Sequence, residues 1–92
     1  MDNQKFIDKC KLAVAREHND NVDTLKGETN FIITDDIYVV WLTKALQNNK
    51  ALLSTNQKDG MYYEITYNGD KKEFYLDAYE KKNNKCIKEE DL

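Results

Sequence analysis

Apolar residues recur at two different periods along this chain, and the change of period divides it. From Asp2 to about Glu17 they fall at Phe6, Cys10, Ala13 and Val14, with Ile7 widening the stripe. That i, i+4, i+7/i+8 spacing is one buried face of an α-helix and predicts a helix over about 3–18. Asp2 or Asn3 can cap its start. The stretch HNDNVDTLKGETN from His18 to Asn30 is polar, carries Gly27 and has no period. It predicts a surface linker over 19–33, long for a compact domain.

The segment TDDIYVVWLTKALQNNK, Thr34 to Lys50, sets two signals against each other. Its β-branched and aromatic content favours a strand. Its apolar pairs fall at 37/38, 41/42 and 45/46 with polar residues at 43/44 and 47/48, a spacing near four that favours a helix. Thr34 can cap, and Asp35 and Asp36 suit the positive end of a helix dipole. Spacing is given the greater weight, so a second helix is predicted over about 35–48, with a strand over 37–46 as the alternative. Trp41 then belongs to the core.

After Lys50 the period becomes two, and strands are predicted over about 50–55, 61–67 and 72–80. Met61, Tyr63, Ile65 and Tyr67 share one face. A two-residue Asn68-Gly69 turn of type I′ would set Tyr63 opposite Phe74 and Met61 opposite Leu76. Ala51 and Leu53 meet Tyr67 and Ile65 if the preceding loop is odd, which Lys58-Asp59-Gly60 supplies as a turn closed by a left-handed glycine. A last hairpin at Asn83-Asn84 would bring Ile87 onto the same face in an edge strand over 85–88. The predicted fold is α+β, a single domain over 1–92. A three- or four-stranded antiparallel meander carries two helices on its apolar face, and 89–92 is a frayed acidic tail.

The same registers place Tyr62, Tyr75 and Tyr79 on the opposite face, beside Glu64, Thr66, Glu73 and Asp77. With two helices available and both assigned to the apolar side, this face is expected to meet solvent. Tyrosine is an amphipathic anchor that loses little entropy on binding, so the face is a candidate for partner binding. Stacking across the sheet accounts for tyrosines there equally well. The Gln47-Asn48-Asn49 turn is a second candidate element.

Composition narrows the function. A chain of 92 residues, 40% hydrophobic and 34% charged with formal charge −3, buries about 65% of its unfolded surface, enough for one modest core. The mild acidity gives no general affinity for phosphate backbones. No apolar run resembles a secretory leader or a membrane span. Cys10 and Cys86 stand near opposite ends without a C-x-x-C or Cys/His cluster, which fits two free thiols in a reducing compartment better than a disulfide joining the termini. Proline is absent and Asn, Lys, Ile and Tyr are abundant, a bias characteristic of an AT-rich genome.

Catalytic and metal constellations are sparse. His18 is the only histidine, which removes any site needing two imidazoles, and at a helix end it is explained by solvent or the terminal carbonyls. Cys10 and His18 lie about 12 Å apart on a helix, too far for a nucleophile–base pair. Cys10 on the apolar stripe reads as a small buried hydrophobe. Asp20, Asp23 and Glu28 lack the spacing of a calcium loop. No phosphate-loop, dinucleotide, nucleophile-elbow or zinc-helix motif is present. Lys71, Lys72, Lys81, Lys82, Lys85 and Lys88 gather near Tyr75 and Tyr79 as in a single-strand binder. Glu73, Asp77, Glu80 and Glu89 to Asp91 neutralise them. No cofactor and no metal is expected.

Three ordered words carry a resemblance: TDDIYVVW (34–41), LQNNKALLST (46–55) and DGMYYEITYNGDKKEFYLDAY (59–79). They resemble a family of small, uncharacterised phage and prophage proteins of low-GC Gram-positive bacteria. The likeness covers about half of the chain, and no catalytic residue comes with it. It implies a phage accessory protein in the bacterial cytoplasm, acting by binding a host or host-defence protein. The sequence therefore supports a non-enzymatic protein using Tyr62, Glu64, Tyr75, Asp77 and Tyr79, with Gln47, Asn48 and Asn49. The alternatives are a self-associating oligomer that binds a small ligand, and a single-stranded nucleic-acid binder using the lysine edge. Membrane association is not expected.

Overall fold

A computed structural model describes every residue of the chain, 1–92. One helix, α1 (Asn3–Asp20), precedes four strands: β1 (Ile37–Ala45), β2 (Asn48–Thr55), β3 (Met61–Asn68) and β4 (Glu73–Glu80). The strands form one antiparallel sheet in the order β1-β2-β3-β4.

The first helix begins where the sequence places it. Asp2 is extended and its Oδ1 accepts the Lys5 N–H at 2.8 Å. Phe6, Cys10, Val14 and His18 recur at every fourth position along its buried side, with Ala15 beside them. These apolar residues join Ile32, Ile37, Ala51, Leu53, Tyr63, Ile65 and Tyr67 in one core. Phe6 stacks on Phe74 with ring centroids 6.2 Å apart, and Phe74 in turn meets Tyr67 at 4.6 Å.

The predicted second helix is a strand. Thr34–Asp36 makes a single 3-10 turn, in which Asp36 Oδ2 accepts the Ile33 N–H at 2.9 Å, and β1 follows directly. The spacing that suggested a helix comes from a β-bulge between Val39 and Trp41. Ile37 and Val39 pair in register with core-side positions of β2, the extra residue Val40 shifts the phase, and Leu42 then takes the core side while Trp41 turns outward. A bulge adds one residue to an alternating pattern, so two apolar faces interrupted by it yield pairs four apart.

Two of the three predicted hairpins form, with the expected faces but shifted registers. Between β3 and β4 the loop is 69–72, so that Tyr67 faces Phe74 and Tyr63 faces Ala78, four residues from the expected pairing. Asn68 Oδ1 accepts the N–H groups of Asp70 and Lys71, and Lys72 takes the positive φ of 54° instead of Gly69. Gly69 serves a different purpose: a Cβ there would run into the backbone carbonyl of Gln47. Between β2 and β3 the loop is 56–60, pairing Ala51 with Ile65 and Leu53 with Tyr63. Gly60 closes it with φ +71°, the left-handed glycine the sequence predicts. Both shifts are even, and an even slip leaves every side chain on its own face.

No strand forms over 85–88. Lys81 donates its N–H to the Gly60 carbonyl at 2.7 Å, after which the chain leaves the sheet and has only a short 3-10 turn at Glu89–Asp91. Ile87 is exposed, and a single apolar residue among lysines and asparagines buries too little surface to order an edge strand. The 19–33 linker is mostly exposed but pinned at two points. The Asn19 side chain gives its Nδ2–H to the Ile32 carbonyl and accepts the Ile32 N–H, at 3.0 and 2.9 Å, while the His18 ring bonds the Asn30 carbonyl at 2.7 Å.

Candidate binding face on the open side of the sheet

Register fixes which side chains share the face away from α1. Reading across the sheet from β1 to β4, Tyr38, Ser54, Tyr62 and Tyr79 form one row. Trp41, Leu52, Glu64 and Asp77 form the next, followed by Thr43, Lys50, Thr66 and Tyr75. Helix α1 packs on the opposite face of the sheet, where Phe6, Cys10 and Val14 join the core. Four of the six tyrosines and the only tryptophan stand on the open face, whereas Tyr63 and Tyr67 belong to the core. Tyr38, Trp41, Tyr75 and Tyr79 are 40–53% exposed. Tyr62, Leu52 and Glu64 are half-buried among these neighbours.

Trp41, Leu52, Tyr62, Glu64 and Tyr79 line a shallow depression of about 430 Å³, with Glu80 and Lys81 at its rim. Its floor is apolar and one wall is charged. Glu64 lies directly opposite Asp77 across the β3–β4 ladder, an arrangement in which like charges repel. Lys50 Nζ approaches Glu64 Oε1 at 3.3 Å, and Asp77 has no ion-pair partner. One row away the Tyr75 hydroxyl donates to Glu73. That bond, with the Glu73 charge, raises the Tyr75 pKa above the ordinary phenol value.

The sequence-derived residues divide accordingly. Tyr62, Glu64, Tyr75, Asp77 and Tyr79 lie together on the open face as parity predicts. Tyr38 and Trp41 join them from β1, whose spacing suggested a helix, and Trp41, expected in the core, stands outside it; Leu52 joins them from β2, whose strand the sequence does predict. Gln47 sits at the β1–β2 hairpin tip beside the exposed Leu46, whose φ is +56°. Asn48 Oδ1 accepts the Gly69 N–H at 3.4 Å. Asn48 is four residues along β2 from Leu52, roughly 13 Å from the depression. Asn49 is 1% exposed on the helix side, so it takes no part in an outer surface.

A second cavity, about 340 Å³, opens at the C-terminal end of α1 and includes Glu17, His18, Glu28, Asn30, Asp59 and Tyr63 in its walls. The Asn30 carbonyl can only accept, so Nε2 of His18 carries a proton. Nδ1 lies 3.8 Å from Asp59 Oδ2. Burial, then the charges of Asp59 and Glu17, push the Tyr63 pKa up. Cys10 lies in the core and not in this cavity, and burial holds its thiol up to about 12, far from a nucleophilic thiolate. No group of three His, Cys, Asp or Glu side chains converges as metal ligands. No helix is long and apolar enough to cross a membrane.

One helix on a four-stranded meander, with an uncovered aromatic face, defines a two-layer α+β protein. The chain belongs to a family of unknown function, DUF6275, whose model matches residues 7–89. Neither a curated protein nor a solved structure matches the chain.

Proposed function

We propose that this protein is a non-enzymatic binding module that docks a partner protein on the open face of its sheet. The observation that carries this reading is the concentration of Tyr38, Trp41, Tyr62, Tyr75 and Tyr79 on the one layer no helix covers. A sheet needs one buried face to fold. Large aromatics on the other leave apolar surface exposed, and such patches mark interaction sites. Aromatic anchors of this type dominate protein–protein contact energies. The resemblance of its sequence words to phage and prophage proteins supports an accessory role in the bacterial cytoplasm, with a host or host-defence protein as the partner.

The face fits a nucleic acid poorly, because Glu64 and Asp77 sit among the aromatics where a strand would bring its phosphates. Self-association through the same face is the competing use of it. Affinity capture from an infected or lysogenic host, with wild type and a Trp41→Ala/Tyr79→Ala variant of unchanged circular dichroism, tests the proposal. The expected result is one or more proteins retained by wild type and lost by the variant. Equal retention by both removes the face from partner binding, and a concentration-dependent dimer in light scattering that the variant abolishes assigns the face to self-association.

A further inference from the structure

We infer that the depression bounded by Trp41, Tyr62 and Tyr79 receives an arginine side chain from the partner protein. This rests on the docking role of the open face and specifies what that face recognises. Three features converge on a planar cation. The walls offer aromatic faces, which attract a guanidinium through the ring quadrupole and stack against its plane. Glu64 lines the depression beside them, and Asp77, just outside the lining, faces Glu64 across the β3–β4 ladder, one full pleat repeat from Tyr79 on the same face. Two carboxylates set opposite one another can each take guanidinium N–H groups, the geometry for which arginine is suited.

The third feature is the cost of the arrangement in the free protein. Opposed carboxylates on adjacent strands destabilise a sheet. Lys50 compensates Glu64 at 3.3 Å, while Asp77 is left without a cation. A position that breaks a local rule of sheet design without internal compensation is where function is expected. Lys81 reaches the rim from the segment after β4 but pairs with neither Glu64 nor Asp77. The free protein therefore presents carboxylate charge beside aromatic surface, complementary to a cation carried on an apolar stem.

Trp41 is the only tryptophan, so its indole N–H resonance and its fluorescence report directly on occupancy. The probes are a short acetylated, amidated Gly-Arg-Gly peptide, its citrulline counterpart, which keeps the shape without the charge, and a Gly-Leu-Gly peptide. The arginine peptide is expected to shift the Trp41 indole resonance saturably, with an affinity about tenfold above the citrulline peptide, as one charge-dependent contact of about 1.4 kcal/mol requires. Glu64→Gln, which removes the lining carboxylate, should lose that preference, and Asp77→Asn should weaken it while the fold melts no lower than wild type, since that substitution relieves repulsion. A purely structural Asp77 would leave the preference intact. Equal shifts by arginine, citrulline and leucine peptides overturn the arginine assignment and leave an apolar docking face. No shift of Trp41 by any peptide, with partner capture still dependent on Trp41 and Tyr79, also overturns it while sparing the docking role. Loss of that dependence removes both.

Discussion

Cys10 shows how a single buried atom couples to solution conditions. Its side chain has no exposed surface beneath α1, and burial raises the thiol from 9.0 to about 12. In the unfolded chain the same thiol ionises near its ordinary value. Between those values the native state holds a proton that the unfolded state has lost, so stability is fully present below about pH 9 and falls as pH rises toward 12. The exposed Cys86 has no such protection. A thiol reagent at neutral pH is therefore expected to modify Cys86 rapidly and Cys10 only as denaturant unfolds the chain. Mass spectrometry of the labelled protein decides it, and rapid native-state labelling of Cys10 would contradict its burial.

At the scale of elements, periodicity identified α1 and three of the four strands, and parity identified the faces. The helix was legible because its buried stripe has one partner and one period. The faces of β2, β3 and β4 were legible because they depend on odd or even spacing alone, which survived register errors of two and four residues. Registers were not legible, since loop length follows from side-chain bonds such as those of Asn68 to Asp70 and Lys71, which compete with the simpler Asn-Gly turn. The bulge at Val40 concealed β1, and with it the places of Tyr38 and Trp41 on the open face. A long polar linker reads as unattached because its anchors are single side chains. Asn19 closes a two-bond clamp on the backbone of Ile32, a residue 4% exposed. Asn19→Ala leaves both part-buried backbone groups without this partner, at a cost of about 1–3 kcal/mol. The expected result is a lower melting temperature and faster amide exchange confined to the segment around 28–33. Unchanged exchange there would show the linker to be held by other contacts.

The whole molecule measures 50 × 37 × 20 Å, and its short dimension reflects a single helix on a single sheet. Such a two-layer protein has one face whose side chains fold it and one whose side chains are free to serve something else. Leu53 and Trp41 stand on adjoining strands on opposite sides of that division, Leu53 with no exposure and Trp41 at 40%. Leu53→Ala removes a filled core position and should cost about 2–5 kcal/mol, a large share of the roughly 5–15 kcal/mol that stabilises a domain of this size. Trp41→Ser removes a much larger side chain, yet one supported from a single side, and should cost about 1 kcal/mol. Urea unfolding of both variants at matched slopes measures the difference, and partner capture by the Trp41 variant measures the consequence. A large residue whose loss spares the fold and ends binding is held there by function. If Trp41→Ser instead destabilises as much as Leu53→Ala, the outer face is a second structural layer in its own right, and its aromatics need no partner to account for them.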